Sequence, residues 1–449
     1  MRKKNLYDDI KFEKGKYLFY KKEYSFDYLK EKIDYLAKSI SSFKKGVVAI
    51  NAKDKLDFII KFYALNKSGF KIFLSESNSL ENLKKEKIEI NYIFKNKKLT
   101  KYKKIKKKIN NNVSIILKTS GSTDFSKYVF LKNENITFIA TEMNSQIFEK
   151  KKKYNELIFA PIDHAFGFGR LHALIMSSHS LTLTNNMNLN NLYNIYNSFN
   201  CNCVSLPSKL LMVIIDLNFK KFLKKLPKMH HIHTSTGYFP LKYRKKVLSL
   251  KTNLFINYGM TEAMRSTFLN CKKYQNKIHT EGKPFKGVKI KIKKSQYQNG
   301  DIFIKGKNLA LEYSDKSLWK SKIIDGWFKT GDLGYIDKNG FLIFCGRNQD
   351  NVSFNGINYD LGQIEKNLKT EFKITNLKIL NDSGKINNFE SKLYLFLDKK
   401  TDFRKIYYYL KKNNIHFSFE KIIVSKEFNY TKTGKLQKKD FIKLINEKK

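Results

Sequence analysis

The chain is poor in proline, cysteine, tryptophan and acid. Its 449 residues include 5 Pro, 4 Cys and 2 Trp, and 40 Asp+Glu stand against 88 Lys+Arg. Each shortage excludes something. Cys201, Cys203, Cys271 and Cys345 show no spacing of a disulfide framework or a zinc site, so a reducing cytoplasm is the expected compartment. The longest apolar run, Leu210 to Ile215, is far too short to span a bilayer. The segment Met1 to Asp9 lacks the apolar stretch of a secretory signal, so none is expected. No internal repeat and no low-complexity tail is seen.

Hydrophobic residues make up 41% of the chain, which fits a globular protein rather than a disordered one. The length suggests about three domain-sized units. The net charge of +48 would ordinarily suggest nucleic acid. Here it is discounted. Lys, Asn, Ile, Phe and Tyr are abundant while Pro and Arg are scarce, as an AT-rich coding sequence produces, and the lysines are spread along the chain. The densest run, Lys101 to Lys108, reads as a solvated face or linker. Nucleic acid is therefore not an expected partner. A basic surface still suits polyanions such as ATP, coenzyme A or an acidic carrier protein.

Helix and strand patterns alternate. Phe26, Leu29, Ile33, Leu36 and Ile40 recur at helical spacing, Val47 to Ile50 reads as a buried strand, and Leu56 to Leu65 as a second helix. Gly69 precedes a strand from Phe70 to Leu74, and Val113 to Leu117 and Leu254 to Asn257 are further strands. The alternation predicts an α/β layered fold with mostly parallel strands. From Gly300 to Phe344 short strands and turns predict a β-rich subdomain. Beyond Asn351, helices at Leu361–Glu371 and Phe403–Lys412 with strands at Leu377–Leu380, Leu393–Leu397 and Ile422–Val424 predict a small α+β domain.

Five segments carry candidate chemistry. In Lys329-Thr330-Gly331-Asp332-Leu333-Gly334, followed by Asp337-Lys338-Asn339-Gly340 and Gly346-Arg347, a hairpin puts a carboxylate and a guanidinium at its two ends. Arg is one of six in this Lys-dominated chain, and its bidentate fork suits phosphate or ribose. A surface hairpin with an ordinary ion pair is the other reading. Thr119-Ser120-Gly121-Ser122-Thr123, with Lys127 nearby, is either an anion nest or a plain Ser/Thr turn. It is not a Walker A loop, and Gly167-Phe168-Gly169 lacks the third glycine of a dinucleotide fingerprint. Asn257-Tyr258-Gly259-Met260-Thr261-Glu262 follows a strand and offers a stacking ring, a hydroxyl and a hard oxygen ligand for Mg²⁺; a β-turn with an exposed Glu is the alternative. His164 follows the strand-like Leu157-Ile158-Phe159. The trio His230, His231 and His233 alternates faces on a strand, which reads as structural rather than as a metal cage. Thr433-Gly434-Lys435 lets a backbone loop carry a flexible ammonium.

Taken in order, these segments resemble the AMP-forming adenylate synthetase superfamily, from the Val47 strand to Lys435. The resemblance implies a large N-terminal domain at 1–347, built of layered α/β subdomains plus the β-rich subdomain. A small mobile α+β lid at 348–449 would carry the catalytic lysine. It implies ATP, Mg²⁺ and either coenzyme A or a carrier-protein phosphopantetheine, with a small carboxylic acid as substrate. By resemblance Thr119, Ser120, Gly121, Ser122, Thr123 and Lys127 hold the β- and γ-phosphates, and Gly237 and Tyr238 lie on the adenine side. Asn257 opens the motif in which Tyr258 lies beside adenine, Thr261 meets the α-phosphate and Glu262 binds Mg²⁺. Asp332 takes the ribose and Arg347 the nucleotide. His164 borders the acyl pocket, Gly356 lines a pantetheine tunnel, Gln349 marks the hinge, and Lys435 stabilises charge in the adenylation step. Two groups of departures stand out. Asp124, Ser126 and Tyr128 replace the phosphate loop's usual residues. Tyr238 and Phe239 are large where small residues are usual, which predicts a narrowed pocket and a short or slim acid. A nucleotide-binding member without turnover remains the alternative.

Overall fold

The computed structural model of the protein describes residues 5–75, 79–95, 97–119, 127–149, 152–224, 229–249, 252–294, 300–347, 351–354, 357–382, 392–413, 415, 417–425, 428, 429, 441, 444 and 445, apart from 105–108. Two large sheets organise the fold. One has nine strands. Its six central strands, Tyr17–Tyr20, Ser180–Leu183, Asn155–Ile158, Cys203–Pro207, His231–Ser235 and Asn253–Ile256, are mutually parallel, and antiparallel strands flank them. The other has seven, with Val47–Ile50, Lys71–Leu74 and Ile115–Lys118 parallel at its centre.

A helical layer fills the space between the sheets. One apolar cluster runs from Val48, Ile72 and Leu117, through Phe58, Phe62, Ile136 and Phe168, to Ile158 and Leu181 on the nine-stranded sheet. The helices start where the local chemistry requires. Ser25 caps Phe26–Ser39 by accepting from the Tyr28 amide, and Asp54 caps Lys55–Lys67 through the Asp57 amide. Gly69, at φ +78°, turns the second of these into the next strand. The outer face of the nine-stranded sheet buries Leu157, Val204, Ile232 and Leu254 against three more helices.

An antiparallel sheet follows, ordered Val288–Lys294, Gly300–Gly306, Trp327–Ile336, Ile323–Ile324, with Leu342–Arg347 paired to Trp327–Ile336. This is the expected β-rich subdomain. From Leu361 on, a separate apolar cluster joins Leu361, Leu368, Leu395, Ile406 and Leu410. The expected helices and strands of this region appear as Leu361–Glu371, Leu377–Asp382, Lys392–Leu397, Phe403–Lys412 and Lys421–Val424. Of the lysine-rich run, 105–108 lie outside the described residues. Lys101 to Lys104 belong to the edge strand Lys98–Lys104, not to a linker. Lysines on an edge oppose further strand pairing. Among the described residues no helix is long and apolar enough to cross a membrane.

His179 packs 4.0 Å from the Phe148 ring and 4.9 Å from the Tyr154 ring. Burial, aided by the Arg170 charge, pushes it down from 6.5 to about 4. The unfolded chain therefore takes up a proton first as the pH falls. Stability is full above 6.5 and declines towards about 4. We expect the urea midpoint to drop across this window, and the drop to be smaller in His179→Gln; an equal drop in both proteins would assign the effect elsewhere.

Candidate active site

Loops at the carboxyl ends of the parallel strands, where α/β sheets bind ligands, carry several of the candidate residues. Asn257 follows Asn253–Ile256, and Thr236 and Gly237 follow His231–Ser235 with φ of +70° and +137°. His164 caps the helix Ala165–Ile175, just after Asn155–Ile158.

The segment 257–262 organises two groups. In the first, the Tyr258 hydroxyl donates to Asp332 Oδ2 at 2.7 Å, and both residues are buried. The Phe344 ring lies 6.1 Å from Tyr258 and 6.2 Å from Tyr238, so three aromatic rings line one wall. Tyr238 is 37% exposed, with the Arg244 guanidinium 5.6 Å from its ring and Lys366 Nζ 5.7 Å from it. Burial raises its phenol, while Arg244 acts in the opposite sense. The hairpin forms as expected and sets Asp332 opposite Arg347 in register. The Arg347 side chain lies outside the described residues. In the second group, the Tyr313 hydroxyl donates to Glu262 Oε1 at 2.6 Å, and Lys127 Nζ sits 5.6 Å from the Tyr313 ring. Burial and the Glu262 charge push the Tyr313 phenol far up, so it remains a donor.

Thr119 and Lys127 close the base of the hydroxyl loop. The Thr119 amide donates to the Lys127 carbonyl at 2.8 Å. Ser120, Gly121, Ser122, Thr123, Asp124 and Ser126 lie outside the described residues, as do Gln349, Gly356 and Lys435. Thr261 is half-buried at the end of the same segment as Glu262. The Asn257 carboxamide is engaged inside the fold, with Nδ2 donating to the Thr267 carbonyl at 2.7 Å and Oδ1 bonded to His233 Nε2. A Cβ on Gly259 would lie 2.5 Å from the Arg265 amide, so this turn needs glycine.

Several expectations are corrected. Phe239 does not narrow a pocket. It is fully buried on the outer face of the sheet, 5.9 Å from the Tyr243 ring. Tyr128 is not a loop residue. It opens the strand Tyr128–Leu131, and its hydroxyl donates to Glu86 Oε2 at 2.5 Å. Gly167 and Gly169 are packing glycines: a Cβ would meet the Pro161 carbonyl at 2.1 Å and Arg265 Nη1 at 2.2 Å. His230 and His231 are not parted by strand alternation, because His230 precedes the strand; both turn towards Cys203. The sequence reading missed Tyr313 and Phe344. Tyr313 stands far from Glu262 in the chain, in a two-residue strand with no motif of its own.

Behind this face lies a buried ion pair. Arg170 grips Glu156 with two bonds, Nε to Oε1 at 2.5 Å and Nη2 to Oε2, with both side chains sealed from solvent. Burial alone would raise Glu156, but Arg170 holds it well below the usual carboxylate range.

With this geometry in place, the comparisons define the class. The AMP-binding enzyme family matches residues 63–314, more than half of the chain, and the chain belongs to that family. Among curated proteins it is similar to the 2-succinylbenzoate–CoA ligase of Bacillus subtilis, 24% identical over 260 residues, or 56% of this chain and 52% of that protein. The same-named protein of Lactococcus lactis is 28% identical over 261 residues, 55% of each. The matched span is thus about half the length of these relatives. Among solved structures, O-succinylbenzoate coenzyme A synthetase of Bacillus subtilis, in complex with ATP and magnesium ion, has a TM-score of 0.77 at 20% identity, covering 97% of this chain and 98% of that one. ATP-bound MatB from Rhodopseudomonas palustris has 0.80 at 17%, covering 98% of each. At such identities these likenesses establish the fold.

The ion pair yields a prediction. Arg170→Met leaves an ionised Glu156 buried without its partner and should cost about 3–5 kcal/mol in chemical denaturation. Adding Glu156→Leu should recover most of that loss. If the double variant is as unstable as the single one, the buried charge is not the cause.

Proposed function

We propose that the chain is an ATP-dependent carboxylate–coenzyme A ligase that works through an acyl-adenylate. The observation that carries this is the convergence of Tyr258, Asp332 and Phe344 on one side of a single segment, with Glu262, Tyr313 and Lys127 on the other.

The roles follow from the chemistry of each group. The Tyr238–Phe344–Tyr258 wall offers planar faces for adenine. Asp332, oriented by the Tyr258 hydroxyl, suits the ribose hydroxyls as an acceptor. Glu262 is a hard oxygen donor that fits Mg²⁺, and Tyr313 fixes its orientation by taking one oxygen. A Mg²⁺ ion held there would offset the charge of the triphosphate. Lys127 adds a cation beside that position. The substrate carboxylate attacks the α-phosphorus, the acyl–O–P bond forms, and the bond to pyrophosphate breaks. Lys435, which we place on a lid at 348–449, would stabilise the charge building on the reacting oxygens. A thiol then attacks the acyl carbon and AMP leaves, with Gly356 on the thiol path. His164 is placed beside the acyl group.

Coenzyme A is the preferred acceptor because the relatives are CoA ligases by name. A carrier-protein phosphopantetheine is the alternative. With Phe239 buried away from any pocket, the argument for a slim acid rests on Tyr238 alone. A 2-succinylbenzoate-like aryl acid is therefore the first candidate.

The test is carboxylate-dependent ATP–pyrophosphate exchange over aryl, short-chain, medium-chain and amino acids, 2-succinylbenzoate included. Exchange with one class should fall by about 10²–10³ in Lys435→Ala. In Tyr313→Phe the KM for Mg·ATP should rise by roughly tenfold, the worth of a bond to a charged group. Silence across the panel, with ATP still bound, would replace this reading by a nucleotide-binding member without turnover.

A further inference from the structure

At the amino ends of the central parallel strands, away from the candidate active site, a sulfur and two imidazoles converge. Cys203 and His231 open neighbouring strands and are paired in register. His230 immediately precedes the second. One ligand atom from each lies within 4.8 Å of the others. Cys203 Sγ is 3.4 Å from His231 Nδ1, and His230 Nδ1 is 3.2 Å from the same nitrogen. A tetrahedral zinc site with Zn–S near 2.3 Å and Zn–N near 2.0–2.1 Å has ligand separations of roughly 3.3–3.6 Å. Two of the three separations are already at that scale. His230, whose side chain is 27% exposed, has room to close the third.

The opposite ring nitrogens face carboxylates. His230 Nε2 lies 3.2 Å from Glu149 Oε1, and His231 Nε2 lies 3.5 Å from Glu156 Oε2. For His230 this is the outer arrangement of metal-binding histidines, in which a carboxylate faces the far ring nitrogen; His231 Nε2 is buried near Glu156 without a hydrogen bond to it. The two Nδ1 atoms face each other at 3.2 Å, and with both unprotonated they are unfavourable neighbours that a cation between them would satisfy.

We propose that Cys203, His230 and His231 bind one zinc ion, which staples the amino ends of the two strands. One thiolate and two imidazoles form a borderline-soft donor set that suits Zn²⁺ and not Mg²⁺. Binding forms Zn–S and two Zn–N bonds and releases the thiol proton to solvent. A solvent molecule completes the coordination. A cleft of about 550 Å³, lined by Tyr154, Asn155, Ser180 and Asn202 among others, lies next to residues that touch the cluster. Tyr154 stacks edge-on against His230 at 5.0 Å, and the Cys203 thiol donates to Asn202 at 3.3 Å. His231 stands four strand residues from Ser235, roughly 13 Å at strand rise, so the ion takes no part in adenylation.

The test uses the full-length chain, stripped of metal and titrated with Zn²⁺ and, separately, Co²⁺. We expect one Zn²⁺ per chain. We also expect Co²⁺ to give a thiolate-to-cobalt charge-transfer band in the near ultraviolet together with tetrahedral d–d bands. His230→Ala and Cys203→Ser should each abolish that band. Glu149→Gln, at an exposed position, should weaken zinc by about tenfold while leaving the fold intact, which guards against a Cys203 variant that merely unfolds. Zinc binding unchanged in His230→Ala, or binding weaker than about 1 mM, would each overturn the assignment.

Discussion

One ionised carboxylate, Glu156, is buried in the middle of the nine-stranded sheet, and the surrounding structure is arranged to compensate it. Arg170 supplies the opposite charge through two bonds, and Ser205 donates a third at 2.5 Å. Arg170 projects from Ala165–Ile175, so the pair fixes that helix against the sheet. The same helix begins at His164, on the site face, and approaches Pro161 so closely that Gly167 has no room for a Cβ. Moving the helix would expose an uncompensated charge, which is far costlier than a packing defect. The position of the helix Ala165–Ile175 thus follows from electrostatics in the core.

The two acidic side chains of the candidate site follow a related rule. Asp332 and Glu262 are both buried, and each accepts from a phenol, Tyr258 and Tyr313 respectively. A phenol is a suitable partner. It satisfies one carboxylate oxygen without neutralising the charge. A lysine in the same place would bind the carboxylate at the expense of the ligand. In a chain of 88 basic residues, the use of tyrosine at both positions is informative. The surplus lysine is elsewhere, as on the edge strand Lys98–Lys104.

Much of this was legible in the sequence, for identifiable reasons. The hairpin that sets Asp332 opposite Arg347 is encoded by the turn Asp337-Lys338-Asn339-Gly340, whose Asp337 side chain accepts from the Asn339 and Phe341 amides. The C-terminal helices and strands were legible because their apolar periodicity is strong and local. What escaped is set by tertiary pairing. Glu262 and Tyr313 are 51 residues apart. Phe239 is large and apolar, and its burial against Tyr243, beside an Arg244 guanidinium that donates to the Phe239 carbonyl at 2.5 Å, is set by tertiary packing. Cys203 and His231 are 28 residues apart and meet only because their strands pair in parallel.

That pairing explains why the two ends of the same strands carry different chemistry. A parallel sheet gathers the first residues of every strand at one edge and the last at the other. The amino ends here gather sulfur and imidazole nitrogen, and the carboxyl-end loops gather carboxylate, hydroxyl and aromatic groups. Donor hardness separates their affinities: oxygen sets favour magnesium, and sulfur–nitrogen sets favour zinc. The strands between them are paired on both sides, so the two ends belong to one hydrogen-bonded frame.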